Sequence, residues 1–128
     1  MSVGFTLVGA YRHNARPFDF RRLEVKVYFR PPSLALGMAR LNGFVHAEGV
    51  SESAHAVGEV HLSRFRILYR FDFASDDGYG VALEFSHDLS RLTVRALTEL
   101  EGQLTRIDDR SVLGRARLRF DVRRVLGL

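Results

Sequence analysis

Five histidines are the residues of this chain whose side chains are best suited to acid–base chemistry or metal binding. His55 and His61 fall on the same face of a candidate strand. Their spacing along an extended chain separates them by about 20 Å, which is too far for two imidazoles to share one metal ion. His13, His46 and His87 are scattered through other segments. We therefore expect no metal site.

Covalent catalysis has no recognisable machinery in this chain. It contains no cysteine and no Gly-x-Ser-x-Gly segment that would expose a serine nucleophile. Asp76 and Asp77 precede Gly78, an arrangement typical of a turn and not of paired catalytic carboxylates. The glycines follow no phosphate-binding pattern. We expect no catalytic residues and no cofactor, although a tyrosine or histidine in the mouth of a barrel keeps an enzyme open as a third hypothesis.

Apolar binding is the chemistry that the sequence supports best. Between Arg64 and Phe73, every odd-numbered position is aromatic or aliphatic and most even-numbered positions are charged. This alternation places the two sets on opposite faces of a strand. The residues that we expect to face the interior and bind a ligand are Phe29, Phe65, Tyr69, Phe71, Leu83, Phe85 and Phe120. The pattern leaves open whether these side chains line a pocket or fill it.

The elements that would position these residues are strands, about eight of them. Segments with period-two alternation span residues 3–12, 22–30, 37–48, 54–62, 64–73, 79–88, 92–107 and 115–123. Turn residues separate several of them, as at Ser75–Gly78 and Asp108–Ser111. An even number of mostly antiparallel strands can close on itself. The predicted fold is therefore all-β: a mostly antiparallel barrel (lipocalin- or calycin-like) or a sandwich of about eight strands.

Two segments also fit a short helix. Residues 88–102 place leucines on one side of a helix bounded by an acidic cap and a glycine, and residues 34–41 are the second candidate. We favour a strand from Leu92, because its apolar residues stay in period two as far as Leu104.

Composition bounds the class of protein. A chain of 128 residues, 46% of them hydrophobic, fits one domain covering residues 1–128. No apolar stretch approaches the roughly 20 residues that cross a bilayer, and no signal peptide is recognisable. Together with the lack of cysteine, this predicts a cytoplasmic protein with no membrane span. Nucleic-acid binding is not expected despite a net charge of +4, because the arginines would face away from the aromatic residues.

The C-terminal half carries a resemblance to a known family. The segments concerned are the hairpin Tyr69–Gly78, the stretch Leu97–Leu100 and the strand Val112–Leu118. They resemble all-β accessory regions of bacterial cholesterol-oxidase-like flavin oxidoreductases. The resemblance implies a lipid- or steroid-associated binding or regulatory module, with the flavin chemistry in a domain that this sequence lacks. It implies no catalytic residue for this chain.

Two functions follow as hypotheses. The first is a noncatalytic β-domain that binds an apolar small molecule of the lipid or steroid class, or that acts as accessory subunit of a lipid-modifying enzyme. The second is a protein-interaction or self-assembly module that forms a homo-oligomer or joins a partner enzyme through exposed strand edges. The segments that would supply those edges are Val3–Val8 and Val125–Leu128.

Overall fold

Eight strands make up the part of the chain that the computed structural model describes, residues 3–16, 18–29, 37–88 and 98–120. The strands are β1 (Val3–His13), β2 (Phe20–Phe29), β3 (Met38–Ala47), β4 (Ser51–Ser63), β5 (Arg66–Ala74), β6 (Gly80–Asp88), β7 (Glu99–Arg106) and β8 (Val112–Phe120). The all-β prediction is confirmed. Met38–Leu41 and Glu99–Gly102, which belonged to the two helix candidates, lie in β3 and β7, and the rest of those candidates falls largely outside the described residues.

Each strand is antiparallel to the next along the chain, and β1 also pairs with β8, so the sheet closes into a barrel. Closure decides for the barrel and against the sandwich. It also gives β1 a hydrogen-bonded neighbour on both sides from Leu7 onward. The prediction of an exposed edge at Val3–Val8 is therefore wrong at Leu7 and Val8. Val125–Leu128 lies outside the described residues.

The core fills the barrel interior, because inward and outward positions alternate along the strands as the period of two requires. All eight strands contribute to one continuous cluster of buried apolar side chains. Its largest fully buried members are Tyr11, Phe71, Phe85, Leu7, Leu23, Leu41, Leu83, Leu100, Leu104 and Leu118. The arginines predicted on the opposite face, such as Arg115 and Arg117 of β8, are exposed as expected.

The two ends of the barrel differ in their connections. We call one the turn end, where residues 14–19, 48–50, 75–79 and 107–111 join successive strands. The other is the mouth end, where β1 begins, β8 ends and residues 64–65 join β4 to β5. The ends of β2 and β6 and the starts of β3 and β7 lie at this end as well.

Side-chain contacts close the turn end. The buried Tyr11 hydroxyl donates a hydrogen bond to the carbonyl of Glu48. The Arg21 guanidinium binds Asp19 at 3.0 Å and lies against Gly49, whose φ of 83° is in the left-handed region. Turns predicted at Ser75–Gly78 and Asp108–Ser111 are present here. The bond from Tyr11 joins β1 to the turn between β3 and β4, and the Arg21–Asp19 pair holds the start of β2 against the loop before it.

The prediction that Phe65 shares the interior with Tyr69 and Phe71 is wrong. It is 54% exposed, because it lies in the two-residue turn between β4 and β5 and not in the strand itself. Its ring contacts the guanidinium of Arg64 at 5.2 Å from the ring centroid. The alternation of β5 begins only at Arg66, so Phe65 belongs to the outer surface of the mouth end.

Candidate ligand-binding site

Four aromatic rings meet inside the mouth end. Phe5 of β1 lies 5.4 Å from Phe120 of β8 and 6.4 Å from Tyr69 of β5, measured between ring centroids. Tyr69 stacks on Phe85 of β6 at 4.8 Å. Because β1 and β5 are far apart in the order of strands around the barrel, these contacts cross the interior. We call Phe5, Tyr69, Phe85 and Phe120 the ring cluster.

Strand register explains why these rings meet. Tyr69 and Phe85 are direct partners across β5 and β6, which brings their side chains to the same level of the barrel. Phe85 is in turn the partner of Gly102 in β7. A Cβ atom at Gly102 would lie 2.6 Å from the Cβ of Phe85, so glycine is required for the Phe85 side chain to occupy this position. Phe5 and Phe120 stay partly exposed at the rim.

His87 places a polar group beside the ring cluster. It is only 6% exposed, and its Nε2 atom has no hydrogen-bond partner among the described residues. The imidazole lies 6.1 Å from the ring of Phe120 and pairs across the sheet with Ile67. β6 runs from the turn end to the mouth end, so His87 stands one inward position closer to the rim than Phe85. The site therefore contains an unsatisfied donor or acceptor in apolar surroundings.

The Tyr69 hydroxyl is the second polar group of the ring cluster. Burial raises the pKa of Tyr69, because the phenolate would be removed from water. Among the described residues no Asp, Glu, Lys or Arg is buried. The described mouth end therefore combines aromatic walls with two hydrogen-bonding side chains, His87 and Tyr69.

The ligand-lining residues predicted from the sequence divide into four groups. Tyr69, Phe85 and Phe120 lie together in the ring cluster. Phe71 and Leu83 lie deeper, fully buried in the core. Phe65 is on the outer surface, and the side chain of Phe29 lies outside what the structure describes.

Sequence reasoning missed two members of the site. Phe5 was in a weak strand candidate, although it keeps period two with the buried Leu7. His87 continues the inward series of Leu83 and Phe85 in β6, and this register was the signal that a histidine would be buried. Because ionisable residue types are mostly exposed, the alternation in β6 did not lead to a prediction that His87 is buried.

Among the described residues, the outer wall carries a groove along β1, β7 and β8. Side chains of both charges line it, including Arg115, Arg117, Glu99 and Glu101, beside the exposed ring of Phe20. Arg117 lies 3.5 Å from Glu101 in this groove, and on β5 Arg70 contacts both Asp72 and Glu84. No group of three or more potential metal ligands occurs among the described residues.

Comparisons with known proteins add no relative from which a function can be transferred. No protein-family model, curated protein or solved structure matches the chain. Within the described residues there is also no helix of the length and apolarity that crossing a membrane requires. The function must therefore be argued from the barrel and its mouth end.

Proposed function

We propose that this chain is a noncatalytic binding barrel that takes up an apolar small molecule of the lipid or steroid class at the ring cluster. The observation that carries the proposal is the meeting of Phe5, Tyr69, Phe85 and Phe120 across the barrel at the mouth end. Aromatic rings offer large apolar contact areas, and barrel mouths are among the preferred places for small-molecule sites.

The difference between the two ends supports this location. The turn end is closed by short connections and by bonds such as that from Tyr11 to Glu48. At the mouth end the outermost rings, Phe5 and Phe120, are partly exposed while Tyr69 beneath them is buried. A ligand would therefore contact the rim rings first, and these rings would have to move apart for it to reach His87 and Tyr69 behind them. In a cell, such a barrel would hold the molecule or present it to an enzyme on another chain.

Fluorescence titration with N-phenyl-1-naphthylamine tests the proposal, because this apolar probe becomes bright when it leaves water. The chain has no tryptophan, which keeps the protein background low. We expect the wild type to bind the probe and Phe5→Ser or Phe120→Ser to weaken binding about tenfold, the equivalent of about 1.4 kcal/mol. The loss of one aromatic contact area is large enough for this effect.

Phe44→Ser is the matched control, because Phe44 is an exposed phenylalanine on the outer wall whose ring contacts His55. It should leave probe affinity unchanged. Circular dichroism of each variant would establish that the barrel is intact. A wild type that does not brighten the probe, or rim variants that bind it as well as the wild type, would refute the proposal.

A second candidate function is association with a partner protein or a second copy through the outer wall. Tyr28, Phe44 and Val57 are exposed on the adjacent strands β2, β3 and β4, and their register makes them neighbours on one face. Exposed apolar patches are typical of interaction surfaces. Sedimentation of the wild type and of Phe44→Ser tests self-association: a concentration-independent monomer in both would exclude it.

A further inference from the structure

We propose that the ligand of the mouth end carries one neutral hydroxyl group and that this hydroxyl donates a hydrogen bond to Nε2 of His87. The inference rests on the proposed function, because it concerns the same site. Its carrying observation is that Nε2 is buried and has no hydrogen-bond partner among the described residues. The ring cluster alone indicates an apolar ligand, and the inference narrows this class to apolar alcohols.

An unpartnered buried imidazole is costly to keep. Leaving a buried polar atom without a hydrogen bond destabilises the folded protein, and the chain could avoid that cost with an apolar residue at this position. A ligand that supplies the missing bond removes the cost when it binds. His87 therefore contributes to affinity only for ligands with a suitable polar group.

The electrostatics of the site select among polar groups. A carboxylate or an ammonium group beside His87 would lose its hydration, and no described Asp, Glu, Lys or Arg is buried near it to compensate. The nearest outward residues of the same strands, Arg66 and Asp88, are a cross-strand pair exposed on the outer face. When the ring proton of a neutral imidazole is on Nδ1, Nε2 is an acceptor, and a hydroxyl group can donate to it whereas an ether oxygen cannot.

Register also orients the ligand. His87 is one inward position nearer the rim than Phe85, and its ring faces that of Phe120. The hydroxyl would lie on the β6 and β8 side of the mouth. The apolar body would then contact Phe5 of β1 and Tyr69 of β5, the strands that flank β8 and β6.

A set of ligands that share a ten-carbon chain tests the inference by displacement of N-phenyl-1-naphthylamine. The set contains 1-decanol, 1-methoxydecane, decanoate and decylammonium, measured at pH 8, where an ordinary imidazole is neutral. Decanol and 1-methoxydecane are both neutral, but only the alcohol has a hydroxyl proton. We expect wild type to prefer decanol to 1-methoxydecane by about tenfold, as one buried hydrogen bond would give, and to bind both charged ligands more weakly than decanol.

Two variants locate that preference at His87. His87→Leu should bring the ratio of the decanol and 1-methoxydecane affinities close to one. His87→Gln, which keeps a donor and an acceptor, should retain most of the preference. The readout within each variant is the ratio of the two affinities, so a change in the affinity for the probe does not alter it.

The outcomes separate the two proposals. Probe binding together with equal affinities for decanol and 1-methoxydecane, or with decanoate as the tightest ligand, would overturn the hydroxyl inference and leave the binding barrel standing. An unchanged decanol preference in His87→Leu would also overturn it. If neither the probe nor decanol binds, with calorimetry as the second measurement, both proposals fail.

Discussion

Replacing His87 by leucine should make the protein more stable. The side chain is buried, Nε2 has no hydrogen-bond partner in the part of the chain that the structure describes, and the neighbouring ring of Phe120 is apolar. Leucine is similar in volume to histidine and has no polar atom to desolvate. Most substitutions of buried residues destabilise a protein, so a gain would be a specific signature of an unsatisfied group.

The magnitude follows from two opposing contributions. Removing an unsatisfied buried polar atom is worth about 1–3 kcal/mol. A shape mismatch between imidazole and the branched leucine side chain costs less than about 1.5 kcal/mol. The expected net gain in the free energy of unfolding is about 1 kcal/mol. For a chain of this size that corresponds to a rise in Tm of roughly 4 °C.

Urea unfolding followed by circular dichroism at pH 8 measures the change. His61→Leu is the matched control, because His61 is half exposed on the outer wall and its imidazole contacts Glu59 at 2.9 Å. Its free energy of unfolding should stay within about 0.5 kcal/mol of the wild type. The midpoint should move without a change of slope, since the surface exposed on unfolding is nearly the same.

A loss of 1 kcal/mol or more in His87→Leu would refute the reasoning. It would mean that the imidazole is satisfied in solution or that its shape is needed by the ring cluster. Equal gains in His87→Leu and His61→Leu would also refute it, because the effect would then be a general one of adding leucine.

Three further predictions concern the barrel. Gly49→Ala and Gly78→Ala both place alanine at positive φ. A Cβ at Gly49 would lie 2.2 Å from the Arg21 guanidinium, whereas a Cβ at Gly78 would meet nothing within 4 Å. The free energy of unfolding should therefore fall by about 1 kcal/mol in Gly78→Ala and by more in Gly49→Ala. Phe65→Ser should change stability by no more than about 0.5 kcal/mol and leave probe affinity unaltered, because the ring is exposed; a core-sized loss would contradict its placement. Burial raises the pKa of Tyr69, so above about pH 10 the unfolded chain loses a proton that the folded chain retains, and the protein becomes less stable. Urea midpoints measured between pH 9 and 11 should therefore decline less steeply in Tyr69→Phe than in the wild type. Parallel pH profiles of the two proteins would argue against this cause.

The resemblance to accessory regions of flavin oxidoreductases stays a prediction. It implied a module without chemistry of its own that binds a lipid or steroid, and the proposed site is consistent in kind with that role. The case for the site rests on contacts such as those of Phe5 with Phe120 and Tyr69, which the resembling segments do not contain as a set. Ligand binding measured on this chain would decide the matter independently of the resemblance.

The sequence by itself determined the local structure of this protein. Alternation of arginine with apolar residues in β8 and of charged with aromatic residues in β5 predicts both the strands and the face each side chain occupies, because a pleated backbone sends neighbours to opposite sides. The glycine at Gly78, with its φ of 93°, likewise marks a turn from local conformational preference.

Only the tertiary structure decided closure and the composition of the site. Whether β1 pairs with β8 depends on strands at the two ends of the sequence, and period two is the same in a barrel and in a sandwich. The alternation of β5 starts only after Phe65, because a two-residue turn lies at residues 64–65. No local sequence pattern predicted the position of that turn. The meeting of Phe5 with Tyr69 and the burial of His87 arise because closure brings distant strands around one interior, so contacts across the barrel have no signature in the local sequence.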